Sequence, residues 1–127
     1  ELLIFGDAGN EVGARMRRGL IAVGGRAGDA AGYAMLAGTI LIFGEVGKRP
    51  GGNMRRGTIG LFAPQRMELL PTFRRSAQLT PVAMTLLLRR LQELGFAVAP
   101  EHLRAKFDLY NGDFLEGGRG EILAAAV

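Results

Sequence analysis

Four short apolar runs, LLIF, LIAV, TILIF and TIGLF, recur at constant spacing through the first half of the chain. Each of the first three is followed by a stretch rich in glycine and charge. Alternation along each run points residues such as Leu2 and Ile4 to one side and Leu3 and Phe5 to the other, as a strand requires. Aligned on these runs, the sequence repeats every nineteen residues: Glu1–Gly19, Leu20–Gly38 and Thr39–Gly57, with Thr58–Phe62 opening a fourth repeat. The apolar column Leu2, Ile21, Ile40, Ile59 is matched by Ile4, Val23, Ile42, Leu61. A fixed period of this length marks a solenoid, in which each unit buries its apolar face against its neighbours.

The glycines keep the same register. Gly6, Gly25 and Gly44 share one column, Gly9, Gly28 and Gly47 the next, then Gly13, Gly32 and Gly51, and finally Gly19, Gly38 and Gly57. These are expected to be structural turns, placed where a tight bend needs positive φ or no side chain. Met16, Met35 and Met54 form a further column, expected to stack as an interior ladder because Met fills irregular gaps. Three corners in a coil of this length leave sides of about six residues, the size of a parallel β-helix strand and its turn. The pattern therefore predicts an all-β fold, a right-handed parallel β-helix over residues 1–63, with handedness taken from the general rule for parallel crossovers. A left-handed hexapeptide β-helix does not fit, since Leu2, Ala8 and Ala14 in the first coil give way to Ile21, Ala27 and Tyr33 in the second. The chain enters the repeat mid-pattern, as the later part of a longer β-helix would, and the underside of its first coil is expected to invite association.

Residues 64–127 predict a C-terminal α/irregular appendage packed on the β-helix. Pro64 and Pro71 bracket QRMELL, an irregular crossing or one helical turn. A helix follows over 81–94, with Thr80 as cap, Pro81 at the first position and Gly95 closing it. Ala83, Leu87, Leu91 and Leu94 form its apolar stripe, with Met84 and Leu88 beside it. EHLRAKFDLY predicts a short helix running into an extended segment. Asn111–Gly112 reads as a turn, Gly117, Gly118 and Gly120 as another, and Glu121–Ala124 as a last strand.

Composition narrows the function classes. The chain has no cysteine, which excludes disulfide scaffolds and Cys-ligated metal centres and fits a reducing cytoplasm. No apolar run approaches the ~20 residues that span a bilayer, and no membrane partner is expected. Net charge is +4, and the 16 basic residues are overwhelmingly arginine. The guanidinium forks onto carboxylates and phosphates. Arg17–Arg18 and Arg55–Arg56 occupy the same two columns, joined by Arg15, with Leu36–Ala37 between them. These five arginines are either a solvated edge or a docking surface for an acidic partner.

Catalytic and cofactor chemistry finds little purchase. His102 is the only histidine, so histidine-based metal sites and triads lack a second member, and beside Glu101 and Arg104 it reads as a surface residue. Asp7, Asp29 and Glu45 sit near corner glycines, where acids commonly satisfy turn amides, and Asp113 reads as a turn residue within reach of Arg119. GEVGKRPGG lacks the Gly-Lys-Ser/Thr ending of a phosphate loop. No catalytic, cofactor or metal residue is expected in this chain, and nucleic acid is not an expected partner.

The coil spacing G-x-x-G-x-x-x-G, MRRGTI at Met54–Ile59, LLPTF at Leu69–Phe73, the helix PVAMTLLLRRLQELG and the ending YNGDFLEGGRGEIL together resemble the C subunit of formylmethanofuran dehydrogenase. They are closer still to the C subunit of the bacterial formyltransferase/hydrolase complex. The coils alone resemble the β-helical spacer domain of glutamate synthase equally well, and it is the tail that favours the first family. The resemblance implies a right-handed β-helical structural subunit without an active site, of which this chain is about the C-terminal half. It also implies a hetero-oligomeric complex of one-carbon metabolism whose hydrolase and formyltransferase subunits carry the chemistry. A stand-alone binder of acidic ligands or nucleic acid, working through the Arg stripe, is the rival from another class.

Overall fold

The computed structural model describes residues 1–64 and 67–126. The four apolar runs become short strands β1 (Leu2–Ile4), β2 (Leu20–Val23), β3 (Thr39–Ile42) and β4 (Thr58–Leu61). They stack in parallel with Leu2 opposite Ile21, Ile21 opposite Ile40 and Ile40 opposite Ile59, a shift of one repeat per strand. The fold is a β-solenoid with nineteen-residue coils, as the periodicity predicts. Ile40, Ile59, Met35 and Met54 are wholly buried inside it, and Met16 packs against the same interior from the first coil.

Two of the glycine columns are αL corners and two are not. Gly13, Gly32 and Gly51, with Gly19, Gly38 and Gly57, have positive φ. The other two columns lack positive φ; above the first coil they are glycine because a neighbouring coil lies too close for a Cβ. A Cβ on Gly44 would sit on the backbone of Gly25 and 2.9 Å from Arg26 N, atoms that cannot swing aside, whereas one on Gly6 would meet nothing within 4 Å. Gly44→Ala is therefore expected to cost ~3 kcal/mol and Gly6→Ala no more than ~0.5 kcal/mol. Chemical denaturation of the two variants side by side checks this, and equal midpoints would contradict it.

Acceptor side chains link the same corners. Asp7 Oδ1 accepts from Arg26 N at 2.7 Å, Asn10 Oδ1 from Asp29 N at 2.8 Å, and Asp29 Oδ1 from Lys48 N at 2.8 Å. Each bond runs from one coil to the equivalent position of the next, so Asp7 and Asp29 serve the turn amides expected of them. Glu45 contributes its carbonyl, which accepts from Ala27 N at 3.0 Å.

The fourth coil does not break off at Phe62. Lys48 bridges Glu68 in parallel, Arg49 N donates to Glu68 O at 3.1 Å, and Met67, Leu69 and Leu70 pack on the solenoid interior. Gln65 and Arg66 of the QRMELL segment lie outside the described residues. Beyond it come β5 (Arg74–Leu79), α1 (Val82–Glu93), α2 (Pro100–Leu103), β6 (Phe107–Gly112) and β7 (Gly120–Ala125). Strand β7 lies parallel to β4 with Ile59 opposite Ile122, so it supplies the strand that a further coil would have supplied. β6 and β5 then extend the same sheet antiparallel, giving the order β1-β2-β3-β4-β7-β6-β5.

Three details of the expected appendage change. The helix starts at Val82: Pro81 is extended (φ −72, ψ 126) and precedes it, and no side chain, Thr80 included, caps it. A residue before proline is driven to extended backbone, which carries β5 straight into the helix start. The buried stripe is Met84, Leu88 and Leu91, while Ala83 and Leu94 face solvent. Side chains in a helix lean toward its N-terminus, so the covering face is rotated from the one simple spacing suggests. Asn111–Gly112 is strand, paired with Glu121 and Gly120, and a Cβ on Gly112 would strike the Phe73 ring. The turn comes later, in a 3-10 turn at Phe114–Glu116 closed by Gly117 at φ 101.

Helix α1 covers the outer face of the sheet. Met84, Leu88 and Leu91 pack with Leu20, Ala22, Leu41, Phe107 and Leu123, forming a second core on the opposite side from the solenoid interior. Burial of each such side chain contributes ~1.5–3 kcal/mol.

Candidate functional site

The last turn of each coil bends through αL residues at Gly13, Arg15, Gly32, Ala34, Gly51 and Asn53 (φ 54 to 74), with the Met of each coil turned to the interior and its flanking residues turned outward. This places Arg15, Arg17 and Arg18 from the first coil and Arg55 and Arg56 from the third on one exposed side. The intervening coil supplies Tyr33, Leu36 and Ala37. Arg15 lies over the Tyr33 ring, 5.7 Å from its centroid. Arg15, Arg17, Tyr33, Leu36, Arg55 and Glu116 line a hollow of about 340 Å³. A neighbouring hollow of about 550 Å³ is lined by Arg55, Arg56, Leu115, Glu116 and Arg119. Arg55 and Glu116 belong to both, joined by an ion pair of 3.4 Å. The arginine columns thus meet in space, except Arg18, which lines neither hollow. Arg119 is an addition: the turn at Phe114–Gly118 brings it beside the third coil, a neighbour with no signal in the local sequence.

Asp113 is structural. It is fully buried and accepts from Asn53 N at 2.9 Å and Leu115 N at 3.0 Å, tying the 3-10 turn to the third coil. Burial pushes its carboxyl up, but the bonds it accepts outweigh this and hold it below its ordinary 3.8. The Thr72 hydroxyl is buried without a hydrogen-bond partner, so the two backbone amides are what hold the carboxylate. Among the described residues Arg119 makes no ion pair with Asp113.

His102 is half-buried, not a freely solvated surface residue. It packs edge-on against Phe62 at 4.9 Å and tilted against Phe43 at 5.3 Å, and its Nδ1 is buried without a partner. Helix α2 is laid on the outer face of the sheet by tertiary packing, which its short polar sequence does not reveal. Desolvation lowers the imidazole below its ordinary 6.5, with Glu101 pulling weakly the other way. As pH falls below 6.5 the unfolded chain takes the proton first, so stability is complete above that value and erodes below it until the folded imidazole also protonates. Asp108 is held below its ordinary 3.8, chiefly by its hydrogen bond from Arg75, and Asp113 also lies below 3.8, so neither titrates in that window. The melting temperature is expected to drop between pH 7.5 and 5.5, and the drop is expected to shrink in His102→Phe. An equal drop in both proteins would contradict the assignment.

Among the described residues no group of three or more acidic or histidine side chains is placed to hold a metal ion, and no helix is long and apolar enough to cross a membrane. What the residues build is a solenoid with a cationic, grooved side.

No protein-family model and no curated protein matches the sequence. Solved structures do. A chain in the X-ray crystal structure of the formyltransferase/hydrolase complex (FhcABCD) from Methylorubrum extorquens, in complex with methylofuran, matches with a TM-score of 0.85 and 39% identity. The match covers 99% of this chain and 46% of that one. The present chain therefore spans about half the length of the chain it matches.

Proposed function

We propose that this chain is a non-catalytic structural subunit, equivalent to the C subunit, of a formyltransferase/hydrolase complex of one-carbon metabolism in the cytoplasm. The observation that carries the proposal is the 39% identity and TM-score of 0.85, which run through solenoid and C-terminal strands alike. Similarity at that level over both halves favours this family over a glutamate-synthase-type spacer, which shares only the coils. The partners are hydrolase and formyltransferase subunits, and any metal or formyl carrier is held by them. The Arg15, Arg17, Arg18, Arg55 and Arg56 face is available for docking.

The non-catalytic role has a direct test. His102→Phe, Asp108→Asn and Tyr110→Phe remove three proton-bearing groups outside the arginine face. Complex assembled with this triple variant is expected to transfer formyl groups at the wild-type rate. A large loss of turnover in fully assembled complex would make the chain catalytic and overturn the reading.

A further inference from the structure

We propose that the two arginine-lined hollows form one groove that binds an extended, carboxylate-bearing peptide segment of a partner protein. Charge complementarity points there first. Arg15, Arg17, Arg55, Arg56 and Arg119 line the groove against a single carboxylate, Glu116. Among the described residues only Arg55 of these five is in an ion pair, so four guanidinium groups face the groove uncompensated. Glu116 is itself fixed by Asn53 Nδ2 at 3.3 Å, and it orients Arg55 at the point where the hollows join. Bidentate pairing with carboxylates is what such an array does best.

The spacing of the arginines fits an extended chain. Arg17 and Arg55 share a column two coils apart, which at the spacing of stacked strands is about 10 Å. Three residues of polyproline II chain advance about 9 Å and bring side chains back to the same face. A segment carrying a carboxylate at every third residue therefore presents one to each arginine as it runs along the solenoid axis.

The far end of the groove separates a peptide from other anions. It closes at Leu115, 72% exposed, beside Phe114, 47% exposed under Arg74. That apolar end suits a side chain of a peptide and offers nothing to a free inorganic anion. Single-stranded nucleic acid needs open aromatic faces on which bases stack. Among the described residues the only aromatic ring lining the hollows, Tyr33, already carries Arg15 over it. Docking of this kind rests on the reading of the chain as a subunit, but it can be measured on the chain alone.

The probe is a fluorescent synthetic peptide of proline and alanine with glutamate at every third position and a leucine at one end, titrated with the full chain. Binding is expected to weaken about tenfold or more in Arg17→Ala/Arg55→Ala and again in Arg119→Ala, and to vanish for the same peptide with glutamine in place of glutamate. These arginines are solvent-exposed, so the variants are expected to melt like the wild type, which separates lost binding from lost folding. Affinity unchanged in the triple variant, no binding of the peptide, or tighter binding of a single-stranded oligonucleotide would each overturn the proposal. If the peptide binds but hydrolase and formyltransferase subunits are not found with the chain, the groove stands and the subunit reading fails. If those subunits assemble normally on the triple variant and the peptide does not bind, the reverse holds.

Discussion

Ile40→Asp is expected to leave the chain without a cooperative unfolding transition. Ile40 is wholly buried in the third coil, where its side chain reaches the αL corners at Gly13 and Gly32. A carboxylate there has no partner, and placing it among Ile21, Ile59 and Met residues costs several kcal/mol on top of the lost apolar burial. The total approaches the whole stability of a domain, ~5–15 kcal/mol. Leu2→Asp in the same column is the control. Leu2 is 52% exposed at the unpaired edge of β1, so the new carboxylate stays hydrated and the melting temperature moves little. Circular dichroism melts of both variants check the pair, and a cooperative, near-wild-type melt for Ile40→Asp would mean that the column is not interior.

The second large effect is expected at Asp113. Asp113→Ala leaves the partly buried amides of Asn53 and Leu115 without their acceptor and cuts the tie between the third coil and the turn before β7. Each orphaned donor costs ~1–3 kcal/mol, so urea unfolding is expected to show a loss of about 3–4 kcal/mol. Asp113→Asn keeps an acceptor oxygen and is expected to lose roughly half as much. If Asp113→Ala costs less than about 1 kcal/mol, the carboxylate does not hold the turn.

The parts of this fold that were legible are those governed by translation from coil to coil. Stacked coils force one residue type into one column, so the Ile and Met ladders could be read without any neighbour being known. Tertiary fitting between unlike elements left weaker marks. The aromatic column Phe5, Phe43, Phe62 has a gap at Gly24, and Phe96, just after α1, fills it, stacked 5.5 Å from Phe5 and tilted 5.3 Å from Phe43. Gly60 similarly leaves room for Met84 Cε, which would lie 3.1 Å from a Cβ there. Both glycines interrupt apolar columns in the sequence, and both interruptions mark where the appendage docks.

Strand β5, reading RRSAQL, could not be seen because it is an edge strand. Its polar side chains and the register shift between Arg75 and Ala77 protect an open edge and erase the apolar alternation that announces a strand. The candidate site was half legible. Periodicity put Arg17 and Arg55 in one column, but Arg119 and Glu116 arrive there through a long-range fold-back that no local pattern encodes.

Whether this chain is a structural subunit of a formyl-handling complex is decided by immunocapture. Antibodies against the chain are applied to native extract, and the co-purifying polypeptides are identified and sized. The expected result is one assembly of defined mass containing hydrolase and formyltransferase subunits and catalysing formyl transfer. Recovery of the chain by itself, within a single giant amidotransferase polypeptide, or bound to nucleic acid would contradict the subunit reading.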